Sequence, residues 1–92
     1  MSRWRVEVSR EAEKALKRQD RLQRMRLREA IDGLQDNPYP GPGRDVDPVR
    51  GVPGLWRLRV GDFRVLFTVD KARRVVYIIA VRPRGQAYRN LN

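Results

Sequence analysis

The chain has 92 residues and a formal net charge of +10, with an isoelectric point near 11.3, which points to a single small domain and an anionic partner. It contains no cysteine and no histidine. That excludes disulfides, thiol nucleophiles, thiolate or imidazole metal sites, and the imidazole pair of ordinary ribonucleases, and no cofactor is expected.

The excess charge does not sit in a tail. Residues 1–43 carry 10 basic and 7 acidic side chains, whereas residues 44–92 carry 11 and 4. Arg3, Arg5 and Glu7 interrupt any secretory start. The longest apolar run, Val75–Val81, is far too short to cross a bilayer. The expectation is a soluble, cytoplasmic protein without membrane contact.

In chain order, Arg3–Val8 alternates: Trp4, Val6 and Val8 point one way, Arg3, Arg5 and Glu7 the other. This predicts a half-buried strand. Ser9 is placed as an N-cap, with Glu11 and Glu13 favourable at the helix start. Ala12, Ala15 and Leu16 form a narrow apolar stripe on a short helix ending near Arg18. Asp20 and Gln23 suit a capping box that opens a second helix. Leu27, Ala30, Ile31 and Leu34 form its apolar stripe, which Leu22 is expected to extend one turn earlier. Arg21, Arg24 and Arg28 are read as a solvated face. Asn37–Asp47 (NPYPGPGRDVD) is a Pro/Gly-rich loop, followed by a brief edge strand expected at Pro48-Val49-Arg50.

The stretch Gly51–Asp70 (GVPGLWRLRVGDFRVLFTVD) predicts a hairpin. Leu55–Val60 and Phe63–Val69 are strand-like, and the Gly61-Asp62 loop suits a tight primed turn. A two-residue loop fixes the register, placing Val60 opposite Phe63, Arg59 opposite Arg64, Leu58 opposite Val65 and Arg57 opposite Leu66. One face then carries Trp56, Leu58, Val60, Phe63, Val65 and Phe67. The other carries Arg57, Arg59 and Arg64 with Leu66 and Thr68. Directly opposed like charges are destabilising. Either this is a solvated outer face, or it grips phosphate through forked, charge-assisted hydrogen bonds. After a turn at Asp70–Arg73, Arg74–Val81 is apolar on both faces and belongs inside the sheet, covered by the helices and, on the other side, by a loop or partner. The tail, Arg84–Asn92, carries Arg84, Tyr88 and Arg89. The element order β-α-α-β-β-β-β predicts an α+β domain, a two-helix hairpin packed on a mostly antiparallel sheet.

These residues resemble the RelE/ParE superfamily, the toxins of bacterial and archaeal toxin–antitoxin pairs. The match runs through the opening strand, the helices ending in Ile31-x-x-Leu34-x-x-Asn37-Pro38, the Val49-Arg50-Gly51 and Trp56-Arg57-Leu58-Arg59 segments, the Gly61-Asp62-Phe63-Arg64 turn, and a last strand followed by Arg and Tyr. The resemblance implies a single RelE-like domain over residues 1–92. Its RelE branch implies cleavage of messenger RNA at the ribosomal A site, by attack of a ribose 2′-oxygen on the adjacent phosphorus. The family's outward basic positions fall on Arg57, Arg59 and Arg64, its Arg after the last strand on Arg84, and its C-terminal Tyr on Tyr88. Arg50, Arg82 and Arg89 complete the implied nucleic-acid-binding set. Many relatives carry Lys at the Arg57 and Arg59 positions and Gly-His-Arg where this chain has Arg82-Pro83-Arg84, so the family's usual proton acceptors are replaced. Implied partners are an acidic, partly disordered antitoxin, the ribosome and messenger RNA. The ParE branch implies a different activity, poisoning of DNA gyrase without nucleolysis. A basic RNA-binding domain without toxicity is a third reading.

Overall fold

The computed structural model describes residues 3–86. In chain order the elements are β1 (Arg5–Val8), α1 (Arg10–Lys17), α2 (Arg21–Gly33), β2 (Val46–Pro48), β3 (Trp56–Val60), β4 (Phe63–Asp70) and β5 (Val75–Pro83), followed by a 3₁₀ turn at Arg84–Gln86. The strands form one sheet in the order β1-β5-β4-β3-β2. β1 runs parallel to β5, and every other pairing is antiparallel. This is the α+β arrangement the element order predicts.

Local chemistry explains the helix boundaries. The Ser9 hydroxyl accepts from the Ala12 N–H, and the Asp20 carboxylate accepts from the Gln23 N–H, each satisfying an otherwise orphaned donor of a first turn. Ala12, Ala15, Leu16, Leu27, Ile31 and Leu34 are buried against Leu58, Val65, Phe67, Val76, Ile78 and Val81 of the sheet. Leu22 does not join them and is 58% exposed. It lies nine positions before Ile31, about two and a half turns, so it points away from the stripe.

The hairpin has the expected register, with Arg59 paired to Arg64 and Val60 to Phe63. Gly61 has φ +57°, while Asp62 stays out of the left-handed region. That is the sign pattern of a type II′ turn.

The edge strand is displaced from its expected place. Val46–Pro48, not Pro48-Val49-Arg50, pairs with β3. Val46 is 2% exposed opposite Leu58, and this burial sets the register. From Val49 the chain leaves the edge and folds over the second face of the sheet. There Val49 and Leu55 bury Leu66 and Ala80, with Val52 and Ile79 beside them. The loop therefore supplies the cover that the two-sided apolar strand requires.

Candidate functional site

One face of the sheet is filled by the helices. The other is divided between the small apolar cluster under residues 49–55 and a patch of arginines. β3 presents Arg57 and Arg59, β4 presents Arg64, and β5 presents Arg82. Register places Arg59 opposite Arg64, and Arg64 opposite Arg82. The result is a row of guanidinium-bearing positions spanning roughly 10 Å across three strands.

Arg82 reaches this row through a bulge. Phe67 pairs with Ile78 and Leu66 with Ala80, so Ile79 is an extra residue on β5. Without it, Val81 would stand opposite Arg64 and Arg82 would face the helices, because a one-residue slip exchanges faces. Ser9 pins the bulge: its hydroxyl donates to the Ile79 carbonyl at 2.6 Å and its N–H to the Ile78 carbonyl at 2.9 Å. The residue that caps α1 thus also fixes the register of the basic row.

The four arginines are held differently. Arg82 Nε lies 3.0 Å from Glu11 Oε2 and Arg82 Nη2 3.3 Å from Glu11 Oε1, a two-point contact to the first turn of α1. The Arg57 guanidinium is 3.5 Å from Asp47 Oδ2. Arg59 Nη2 lies 3.8 Å from both Asp45 Oδ1 and Asp47 Oδ2. Arg64 bends instead toward the hairpin tip, donating to the Gly61 and Phe63 carbonyls at 3.0 and 2.9 Å. Its described partners are neutral carbonyls, so no described carboxylate offsets its charge. The like-charge repulsion expected on this face is thus partly relieved by carboxylates of β2, the loop before it and α1, which the alternation of the hairpin does not reveal.

Arg84 opens the 3₁₀ turn beside the same tip, its N–H donating to the Asp62 carbonyl at 2.8 Å. Its side chain is exposed, as is that of Arg50 in the loop after β2. Structure therefore gathers Arg57, Arg59, Arg64 and Arg82, with Arg84 adjoining them at the turn. Tyr88 and Arg89 lie outside the described residues. Among the described residues no group of His, Cys, Asp or Glu could hold a metal ion, and no helix is long and apolar enough to cross a membrane. Among the described residues the site is a basic surface, its charges spread over three strands, a distribution that matches an extended polyanion.

Comparison with known proteins gives a consistent set of relatives. The family model described as the ParE toxin of type II toxin–antitoxin systems matches residues 6–88. The RelE1 protein of Methanocaldococcus jannaschii, named for a toxin, is 30% identical over 88 residues, 96% of this chain and 98% of that protein. Among solved structures, the RelE–RelB complex of Pyrococcus horikoshii OT3 includes a chain with TM-score 0.78 and 32% identity, covering 92% of this chain and 99% of that one. The RelBE2 complex of Mycobacterium tuberculosis shares the fold at TM-score 0.72 and 23% identity, covering 88% and 98%.

Proposed function

Because this chain belongs to the RelE/ParE superfamily of type II toxin–antitoxin toxins, and is RelE-like within it, we propose that it stops translation by cutting messenger RNA on the ribosome. The observation that carries this reading is the Arg59–Arg64–Arg82 row on the sheet face opposite the helices, with Arg57 beside it. Cleavage begins with attack of a ribose 2′-oxygen on the adjacent phosphorus. The bond from phosphorus to the 5′-oxygen breaks, leaving a 2′,3′-cyclic phosphate and a 5′-hydroxyl. Negative charge grows on the phosphorane oxygens between these events, and fixed guanidinium donors stabilise that charge more than the starting phosphodiester.

Arg64 takes the central role, since its charge is not offset by a described carboxylate. Arg57 and Arg59 flank the phosphate, and Arg84, beside the turn, offsets charge on the departing 5′-oxygen. Arg50, Arg82 and Arg89 extend the contact with RNA. Arginine is not a practical proton acceptor. The 2′-hydroxyl proton therefore passes to a group of the ribosome or to solvent, and the departing 5′-oxygen takes its proton from solvent or from the Tyr88 hydroxyl, a side chain that alternatively stacks on the exposed base. An acidic antitoxin that folds over the basic face is the proposed neutralising partner. The RelE–RelB complex of Pyrococcus horikoshii OT3 supports it.

The test is induction in growing bacteria with mapping of transcript 5′ ends. Expected are growth arrest, new ends within translated codons, and a fall in cleavage of about 10²–10³-fold for Arg64→Ala. The family model named for ParE favours a second reading, inhibition of DNA gyrase. Growth arrest without new transcript ends, together with lost supercoiling by purified gyrase, would replace the first reading with the second.

A further inference from the structure

Arg57, Arg59 and Arg82 already face carboxylates of their own chain, and these are held with unequal firmness. Glu11 grips Arg82 at two points, and the Arg82 side chain is only 19% exposed. The contacts on β3 are looser. Asp47 stands directly opposite Arg57 across the β2–β3 pair, and one of its oxygens reaches both Arg57, at 3.5 Å, and Arg59, at 3.8 Å. Asp45 Oδ1 also lies 3.8 Å from Arg59 Nη2. Its position is set by its backbone, because the Arg59 N–H donates to the Asp45 carbonyl at 2.9 Å.

These separations exceed the roughly 2.7–2.9 Å of a strong charge-assisted hydrogen bond, and exposed ion pairs of this kind are weak. They are close enough to offset the repulsion between two guanidinium groups on one face, yet loose enough to be exchanged. A phosphate offers the same acceptor chemistry with more oxygens. We propose that Asp45 and Asp47 act as internal counter-anions of this site, so that an RNA phosphate engages Arg57 and Arg59 by displacing carboxylates already there. Arg64 is the point of first contact, and the two aspartates set the threshold that a ligand must exceed. An isolated phosphate or a loosely held strand gains little from the exchange. A backbone that aligns phosphate with Arg64 and β3 together gains the full set of donors. Asp45 and Asp47 are thus positioning and specificity residues, and this inference rests on the phosphate-binding reading of the row.

The experiment measures binding of a fluorescent single-stranded uridine decamer by anisotropy across a series of salt concentrations. It compares the full chain with the double variant Asp45→Asn/Asp47→Asn. The charge-matched control is Asp32→Asn/Asp36→Asn, two exposed positions at and just past the end of α2. Removing the carboxylates that sit against Arg57 and Arg59 adds one or two released counterions, so the site variant should bind about tenfold tighter near 0.1 M salt. Its plot of log affinity against log salt should steepen by about 0.7–1.4. The control should tighten less than about twofold with its slope unchanged, since the added charges lie outside the contact. Asp47→Glu, which keeps the anion, should bind like the parent chain. Equal behaviour of the site variant and the control would overturn the proposal. Binding by the parent chain that ignores both salt and Arg64→Ala would instead overturn the phosphate reading beneath it, so the two failures are distinguishable.

Discussion

Arg64 differs from its neighbours in what it touches. Its guanidinium donates to two backbone carbonyls of the hairpin tip, which orient it without cancelling its charge. Lysine would keep the charge but lose the planar fork of donors. Arg64→Lys is therefore expected to keep RNA affinity within about threefold while cleavage falls at least tenfold, a loss in kcat rather than in KM that single-turnover kinetics on programmed ribosomes would detect. Ser9 serves two structures with one hydroxyl, accepting from the Ala12 N–H and donating to the Ile79 carbonyl. Ser9→Ala removes a cap and leaves the bulge carbonyl without its donor. A loss of about 1–3 kcal/mol in urea unfolding is expected, reaching beyond the roughly 1 kcal/mol typical of a cap alone.

At the scale of elements, the hairpin was legible because its loop is two residues long. Gly61-Asp62 leaves one register, and the observed pairs Arg57 with Leu66 and Arg59 with Arg64 follow from it. Gly61 sits at φ +57° with open space where a side chain would go. Gly61→Ala thus meets no neighbour and suffers backbone strain alone, and a thermal melt should show a loss of about 1–2 kcal/mol with the arginine row intact. The bulge was not legible. Every residue of Val75–Val81 is apolar, so no alternation marks where the strand changes face. Only pairing with Leu66 and Phe67 shows that Ile79 is supernumerary and that Arg82 joins the row. The carboxylates were hidden for a related reason. Glu11 is far from Arg82 in sequence and served as a favourable first-turn residue, while Asp45 and Asp47 fell in a Pro/Gly-rich loop. The edge strand slipped two positions earlier because burial of Val46 against Leu58 outweighed the local pattern around Val49.

The whole molecule is closed by its last strand. β5 lies between β1 and β4, so the first and final strands of the chain are neighbours, and Ser9 is tied to Ile78 and Ile79 across most of its length. Val76 and Ile78 fill the core beneath the helices, while Ala80 fills the smaller cluster on the opposite face. A chain lacking β5 keeps α1, α2 and the hairpin but leaves β1 with no strand to pair with and both apolar clusters open. Residues 1–74 are therefore expected to show no cooperative transition in circular dichroism, whereas the full chain unfolds in one step. Contacts of such long sequence separation also slow folding, toward the millisecond-to-second range of nonlocal sheets. The basic row depends on the same closure: Arg59 and Arg64 come with the hairpin, but Arg82 arrives only when β5 docks. A hairpin without β5 should therefore bind RNA as a salt-sensitive polycation and fail to cleave it, and loss of cleavage should track loss of the cooperative transition across β5 core substitutions such as Val76→Ala and Ile78→Ala, which leave Arg82 and Arg84 in the chain.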